Sequence, residues 1–409
     1  MIFILVNYLN KSTFFPYFVI STLNYSFGNT CEQIDIANRI AFKNKKKLIL
    51  IKFYLLQNLL GYNVSNHHLF DNLVFYKKLN KIEIFFFKVL EFILNIEFVF
   101  IRSLIRILKI IFKINFPDNI NFIHLGISRE LYNNKAFFRT NYNLIKSYPK
   151  INPKISLKKD IKKICKLLLS EKINYKKKFI CLHVRDHFFH NDKKRRNFRN
   201  ANINNYIKSI DFLIKKGFVV VRLGNSKSKK IKYKNKNFFQ YNYSEINSPL
   251  LDIYLVENCY FYVGTSSGPI DLAFAMNKPT LITNSVNIFS GSARNKMGRT
   301  LMKDIYYKNK KINIQKFIKL DYSNHDPSLL HNKLNFKENS PNQLLKSVKK
   351  FYKIVKLKKF KYNKKDIILS NLINISLKHK FYKDDVFKQS NHAIRIIKWI
   401  KTNTGVLIF

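Results

Sequence analysis

Four short stretches between Cys181 and Asn284 combine residue types that suit the gripping of an anion. The first is His183-Val184-Arg185-Asp186, directly after the apolar run Phe179-Ile180-Cys181-Leu182. In an open α/β sheet, ligands bind beyond the carboxyl ends of the strands. An arginine at that point can hold a phosphate through two parallel hydrogen bonds. His183 and Asp186 add acid–base groups at the same place, and equally suit hydrogen bonding at an ordinary strand exit. The second stretch is Phe198-Arg199-Asn200, a polar loop that leads through Tyr206 into a predicted helix. Free N–H groups at a helix start favour anions. In the third, Val221-Arg222-Leu223-Gly224, Arg222 can face a phosphate and Gly224 permits close approach or a positive φ. The fourth, Gly264-Thr265-Ser266-Ser267-Gly268, lies between a predicted strand Tyr260–Val263 and a predicted helix Ile270–Met276. Its small residues expose backbone N–H groups, and its hydroxyls add donors, so it suits a nest for phosphate or ribose oxygens. It lacks the Gly-Lys-Thr/Ser ending of a Walker loop and the triple-glycine spacing of a dinucleotide site, which disfavours ATP hydrolysis and dinucleotide binding. Asn284 closes the next predicted strand, Pro279–Thr283.

These stretches need strands and helices at short spacing to hold them. Lys178–Val184, Phe218–Leu223, Tyr260–Val263 and Pro279–Thr283 read as buried strands. Asn204–Lys216, Ser248–Glu257 and Ile270–Met276 read as helices between them, and Gly217 takes the positive φ that ends the first. Such alternation is the pattern of a doubly wound sheet. A last helix, Pro341–Val355, starts with Ser340 as N-cap, Pro341 at the first position and Gln343 closing a capping box. Upstream, strand Tyr17–Thr22, a loop with Gly28, a helix from about Glu32 to Phe42 and strand Lys47–Phe53 make a βαβ unit. Residues 54–125 read as a mostly helical insertion, and Asn143–Lys178 as a linker. The expected organisation is an N-terminal domain over residues 1–150, a second over 151–355 and a basic tail over 356–409.

The 409 residues carry 75 Lys+Arg against 24 Asp+Glu, a formal net charge of +51. Lys, Asn and Ile recur throughout, as AT-rich codons would give, and the basic residues do not gather in one arm. This favours a general affinity for anionic surfaces over dedicated nucleic-acid binding. The four cysteines, Cys31, Cys165, Cys181 and Cys259, form no CxxC pair, so zinc knuckles and thioredoxin-like chemistry are disfavoured and buried reduced thiols are expected. Met1–Asn10 reads as a first strand or helix rather than a signal peptide. Ile82–Phe116 is apolar yet too interrupted by charge to span a bilayer. Arg102, Arg106, Lys109 and Lys113 share one helical face, with Leu104, Leu108, Ile111 and Phe112 on another. That pattern suits a helix lying in a membrane interface as well as a core helix with snorkelling lysines.

Taken in order, Cys181–Asp186, Phe198–Tyr206, Gly217–Gly224, Leu251–Glu257, Phe261–Gly268, Lys278–Asn284 and Lys337-Glu338-Asn339-Ser340-Pro341 resemble a family of bacterial glycosyltransferases. That family carries a His-Val-Arg-Asp strand end, a Tyr-Arg-Asn loop and a Gly-Thr-Ser-Ser-Gly loop. More distantly, the His-x-Arg element is similar to that of fucosyltransferases that use GDP-fucose. The likeness covers about residues 178–350, and Phe198 departs from it where the family often has Tyr. Gly28-Asn29 weakly resembles the acceptor-side loop of two-Rossmann transferases. The resemblance implies an α/β, GT-B-like fold, two Rossmann-like domains facing a cleft, with a nucleotide-sugar as substrate, a GDP-sugar among the options, and no bound cofactor or metal. It implies that Arg185 binds the donor diphosphate; residue chemistry adds Arg199, Arg222, Gly224, Gly264, Thr265, Ser266, Ser267, Gly268 and Asn284 as donor-site candidates, and His183 and Asp186 as catalytic candidates. No clear DxD pair is present, and Asp252 stands alone as a helix-start residue. The expected partners are a glycan or lipid-linked acceptor and an anionic membrane surface, at the inner face of the cell membrane. The competing reading is a non-enzymatic basic membrane- or nucleic-acid-binding protein on a Rossmann-like scaffold; a GT-B-like non-sugar transferase or epimerase is the other enzyme class.

Overall fold

A computed structural model describes residues 2–21, 27–53, 66–112, 153–174, 176–187, 197–286, 297–313 and 334–358. The predicted tail beyond residue 358, Lys113 and residues 143–152 of the predicted linker lie outside them, while the rest of that linker, residue 175 apart, is described and holds a helix, Lys159–Ser170. The chain divides into two compact units, Met1–Lys158 and Lys159–Phe409.

In the first unit, strands β1 (Tyr17–Ser21) and β2 (Lys47–Ile51) pair in parallel, joined by a helix, Phe27–Lys43. Successive strand residues point to opposite faces, and both faces are covered. Phe18, Ile20 and Leu48 meet Ile36, Ala37 and Ala41 of that helix. Val19, Ile49 and Ile51 meet Phe3 and Val6 of the first helix, Ile2–Lys11, and Phe87, Leu94 and Phe98 of a long helix, Lys81–Phe112. The helix after β1 starts earlier than its residues suggest. Gly28 and Asn29, expected in a loop, stand in its first turn. Glycine is a poor helix former, but buried Cys31, Ile34 and Ala37 fix the turn that follows, so packing overrides propensity. A short antiparallel pair, β3 (Leu73–Val74) with β4 (Ser156–Leu157), completes the unit's described strands.

The Lys81–Phe112 helix spans 32 residues, ~48 Å at 1.5 Å per residue. One stripe is buried against β1 and β2. Another exposes large apolar side chains along the whole length, from Ile82 and Phe85 (72% exposed) through Phe100 and Leu104 to Ile110 (75%). The side chains of Arg102, Arg106 and Lys109 lie outside the described set. Among the described residues, no helix is long and apolar enough to cross a membrane.

The second unit is built on a six-stranded parallel sheet: β5 (Phe179–His183), β6 (Val219–Leu223), β7 (Phe238–Phe239), β8 (Tyr262–Thr265), β9 (Thr280–Ser285) and β10 (Gly298–Met302). Its spatial order is β10-β9-β8-β5-β6-β7. Renumbered from β5 as first, this is 3-2-1-4-5-6 read from the β7 edge, the order of a doubly wound nucleotide-binding sheet. The chain builds outward from β5 to β7, then returns through helix Pro249–Asn258 to place β8 on the other side of β5. On one face Ile180, Leu182, Val220, Val263 and Leu281 pack against helices Ile207–Lys215 and Pro341–Lys356 through Ile210, Leu213, Leu344, Val348 and Phe351. Cys181 points the other way and donates its thiol to the Leu255 carbonyl at 3.4 Å, which seats helix Pro249–Asn258 on the opposite face. Predicted caps hold: Gly217 has φ +87°, and Ser340 and Gln343 close their box. All four cysteines are buried, and none is in a disulfide. A small antiparallel sheet, β12 (Lys310–Ile312), β11 (Asp304–Tyr307) and β13 (Leu334–Lys337), follows β10.

Candidate active site

The strand order reverses between β5 and β8, the switch point beyond whose carboxyl ends ligands bind in such sheets. Two of the singled-out stretches end there together. His183 sits opposite Gly264 in the β5–β8 register. That pairing requires the glycine. A Cβ on Gly264 would lie 2.9 Å from the His183 carbonyl oxygen and 2.7 Å from the Tyr262 ring. The nest expected over Gly264–Gly268 is therefore divided: Gly264 and Thr265 finish β8, Ser266 and Ser267 turn, and Gly268 opens helix Gly268–Ala275.

Arg185 is 6% exposed and held on three sides. Its backbone N–H donates to Thr265 Oγ1 at 2.9 Å, its carbonyl accepts from Ala201 N–H at 2.9 Å, and its Nε donates to Asn200 Oδ1 at 3.1 Å. Arg199 lies in a 3₁₀ turn, Asn197–Arg199, and donates Nε and Nη2 to the Ser266 carbonyl at 3.0 and 2.7 Å. The stretch read as a loop into one helix is thus two 3₁₀ turns, the second Ile203–Tyr206, ahead of helix Ile207–Lys215. The result is an Arg199 guanidinium fixed on the turn that starts helix Gly268–Ala275, with Arg185 anchored next to it through Thr265 and Asn200, while the helix dipole and N-terminal N–H groups add positive potential.

Missed in the sequence is Lys303, immediately after β10. It is 5% exposed, and its Nζ donates to the Asn200 carbonyl at 2.7 Å. Lys303 and Arg185 therefore hang on two oxygens of one asparagine. Burial pulls the Lys303 ammonium down to about 8, against the opposing pull of Glu338. A lysine at a strand end carries no signal in a chain with 75 Lys+Arg.

His183 is held neutral. Burial first, then the charges of Arg185 and Arg222, lower its imidazole to about 4, and its enclosed Nδ1 has no hydrogen-bond partner among the described residues. It cannot serve as a general acid near neutrality, and is a weak base there. Asp186 accepts from the Lys229 backbone N–H at 2.8 Å.

Two expected donor contacts serve the scaffold. Arg222 is 1% exposed and donates to the Lys229 carbonyl at 2.7 Å and Gln240 Oε1 at 3.3 Å, bracing the segment after β6. Asn284 has φ +52°, a left-handed conformation asparagine tolerates. Its N–H and Oδ1 exchange hydrogen bonds with Asn339 Oδ1 and N–H, both at 2.7 Å, and its Nδ2 donates to Tyr206 Oη at 3.0 Å. Gly224, at φ +132°, gives its carbonyl to Asn247 Nδ2 at 3.1 Å. Gly28 and Asn29 belong to the first unit and are described only as part of its helix.

No protein-family model matches the chain, and no curated protein matches it. Among solved structures it is similar to E. coli ADP-heptose LPS heptosyltransferase II, with 14% identity, TM-score 0.32, and coverage of 50% of this chain and 54% of that one. It is also similar to the dodecameric iron-containing heptosyltransferase TibC in complex with ADP-D-β-D-heptose, with 11% identity, TM-score 0.25, and coverage of 44% and 45%. The chain thus spans about half the length of these structures. At these scores the likeness carries no weight for the site, which stands on its own residues.

Among the described residues, no three His, Cys, Asp or Glu side chains gather as a metal site. A void of about 10 Å³ among Ile180, Leu182, Ile210, Leu213 and Val348 lies inside the core and is too small for a substrate.

Proposed function

We propose that the protein is a glycosyltransferase that moves a sugar from a nucleotide-sugar donor to a glycan or lipid-linked acceptor. One observation carries the reading: the switch point of a doubly wound sheet is furnished with Arg185, oriented by Asn200, beside a Ser266–Gly268 turn clamped by Arg199. In sugar transfer an acceptor oxygen attacks the anomeric carbon and the bond to the diphosphate breaks. The electron pair leaves on the diphosphate oxygen, and the acceptor proton passes to a base. Negative charge grows on the leaving group as the bond breaks. A guanidinium held in place beforehand stabilises that state more than the ground state. Arg185 is assigned this role, with Arg199 and the N-terminus of helix Gly268–Ala275 as further ligands of the diphosphate. The donor class includes GDP-sugars, following the sequence resemblance, and the positive side chains neutralise the diphosphate in place of a metal.

The acceptor is read as membrane-associated. A net charge of +51 attracts the chain to anionic lipid, and the exposed apolar stripe of helix Lys81–Phe112 suits shallow burial at the headgroup boundary.

The test is turnover. Wild-type protein and Arg185→Ala are incubated with a panel of nucleotide-sugars and a bacterial lipid extract, and released nucleoside diphosphate is measured. One donor should give release that depends on the extract, and Arg185→Ala should lower it on the order of 10²–10³-fold, as for loss of one preorganised donor to a developing anion. Absence of release with every donor, alongside tight salt-sensitive binding to anionic vesicles or nucleic acid, would favour the non-enzymatic reading.

A further inference from the structure

Lys303 has a position that burial and bonding alone do not justify. Its ammonium carries three donors, and among the described residues one hydrogen bond is recorded for them, to the Asn200 carbonyl. The residue is 95% enclosed, judged from its 5% exposure. A buried charge is costly unless an opposite charge sits against it. Glu338, the acid that acts on it, gives Oε2 to the Asn202 N–H at 2.8 Å and Asn205 Nδ2 at 3.3 Å. Lys303 also follows β10 directly, so it stands on the same carboxyl edge of the parallel sheet as His183, Arg185 and Thr265. Asn200 joins the two cations, with Lys303 on its carbonyl and Arg185 on its side chain.

We infer that Lys303 is a third cationic ligand of the anion site, and that it holds a phosphate of the donor diphosphate beside Arg185. The inference rests on the diphosphate reading of that site. Among the described residues Glu338 is the acid that acts on Lys303, and it is engaged with Asn202 and Asn205, so an anion adds opposite charge at the ammonium. Such a lysine binds only when protonated. The groups that set its proton are its buried surroundings, which lower it, and Glu338, which raises it.

Calorimetric titration of wild type, Lys303→Met, Lys303→Arg and Arg185→Ala tests this. The ligands are ADP, GDP, UDP and CDP, the matching nucleosides and inorganic pyrophosphate. Lys303→Met should weaken the preferred diphosphate and pyrophosphate about 10-fold or more, leave nucleoside binding within twofold, and melt no lower than wild type, because it removes a buried charge. Lys303→Arg should recover part of the loss. Wild-type affinity should decline above about pH 8, where the terminal phosphate is already ionised, and Lys303→Met should stay flat. Diphosphate binding that is lost in Arg185→Ala but unchanged in Lys303→Met overturns the inference and leaves the transferase reading standing. Equal loss of nucleoside and diphosphate, with a lower melting temperature, marks Lys303 as structural and also overturns it. Pyrophosphate binding that depends on Lys303, without any nucleotide preference, upholds the ligand role and removes support for the transferase reading. Wild-type protein that binds none of these ligands overturns both.

Discussion

Replacing Asn339 with alanine probes how the carboxyl edge of the sheet is held. The Asn339 Oδ1 accepts the Asn284 backbone N–H at 2.7 Å, and its Nδ2 donates to the Met302 carbonyl at 2.7 Å. Both residues are at most 1% exposed, so water cannot replace these bonds without entering the core. Truncation leaves one buried N–H and one buried carbonyl unmatched. At about 1–3 kcal/mol for each orphaned group, Asn339→Ala should destabilise the second unit by about 2–6 kcal/mol. Asn284 suffers further, because its left-handed backbone is fixed by the reciprocal bonds with Asn339. Met302 precedes Lys303 and Asn284 is the penultimate residue of β9, so the loss should also loosen the anion site. Urea unfolding followed by circular dichroism gives the stability, and titration with the preferred diphosphate gives the coupling. Asn339→Asp keeps the acceptor but sets a carboxylate oxygen against the Met302 carbonyl, so it should be no milder than alanine. A loss below about 0.5 kcal/mol for Asn339→Ala would refute the claim that this brace holds the sheet edge.

Three other outcomes are expected. Gly264→Ala forces its Cβ against the Tyr262 ring and the His183 carbonyl, and should cost about 1–3 kcal/mol while weakening diphosphate binding through displacement of Arg185; a melting temperature and affinity equal to wild type would contradict the packing argument. Asp252, whose enclosed Oδ1 has no hydrogen-bond partner among the described residues, has its carboxyl raised by burial to about 7 from 3.8. The folded protein therefore binds this proton more tightly than the unfolded chain, so stability falls as pH rises from about 4 to 7, by up to about 4 kcal/mol. Asp252→Asn should match wild type near pH 4 and exceed it at pH 8; parallel stability curves would contradict this. Phe85→Glu combined with Phe100→Glu should reduce partition onto anionic vesicles by about 10-fold or more, measured by sedimentation, since it removes two exposed aromatic side chains from one stripe and adds negative charge; unchanged partition would show that charge alone drives the binding.

The parallel strands were legible because both faces of such a sheet are buried. Phe179–Leu182 and Val219–Val221 read as unbroken apolar runs for that reason. The turn at Gly217 and the box at Ser340 were legible because their chemistry is local. Arg222 was not. A strand-end arginine looks the same whether it faces a ligand or folds back, and its partners Lys229 and Gln240 lie 7 and 18 residues away. Asn284 and Asn339 meet across 55 residues, a relation no spacing rule gives. Gly28 was assigned to a loop on propensity, whereas the burial of Cys31 and Ile34 decided for helix. Lys303 was hidden by abundance; among the described lysines only Lys46 is as enclosed, and Lys303 is the one at the carboxyl edge of the six-stranded sheet.

The central claim is that Arg185, at the switch point between β5 and β8, grips a diphosphate. Isothermal titration of nucleoside diphosphates into wild-type protein and Arg185→Ala tests it most directly. A charged hydrogen-bond donor is worth about 1.5–3 kcal/mol, so Arg185→Ala should bind the preferred diphosphate roughly 10- to 150-fold more weakly, with an unchanged circular dichroism spectrum. Equal diphosphate affinity in the two proteins would contradict the account.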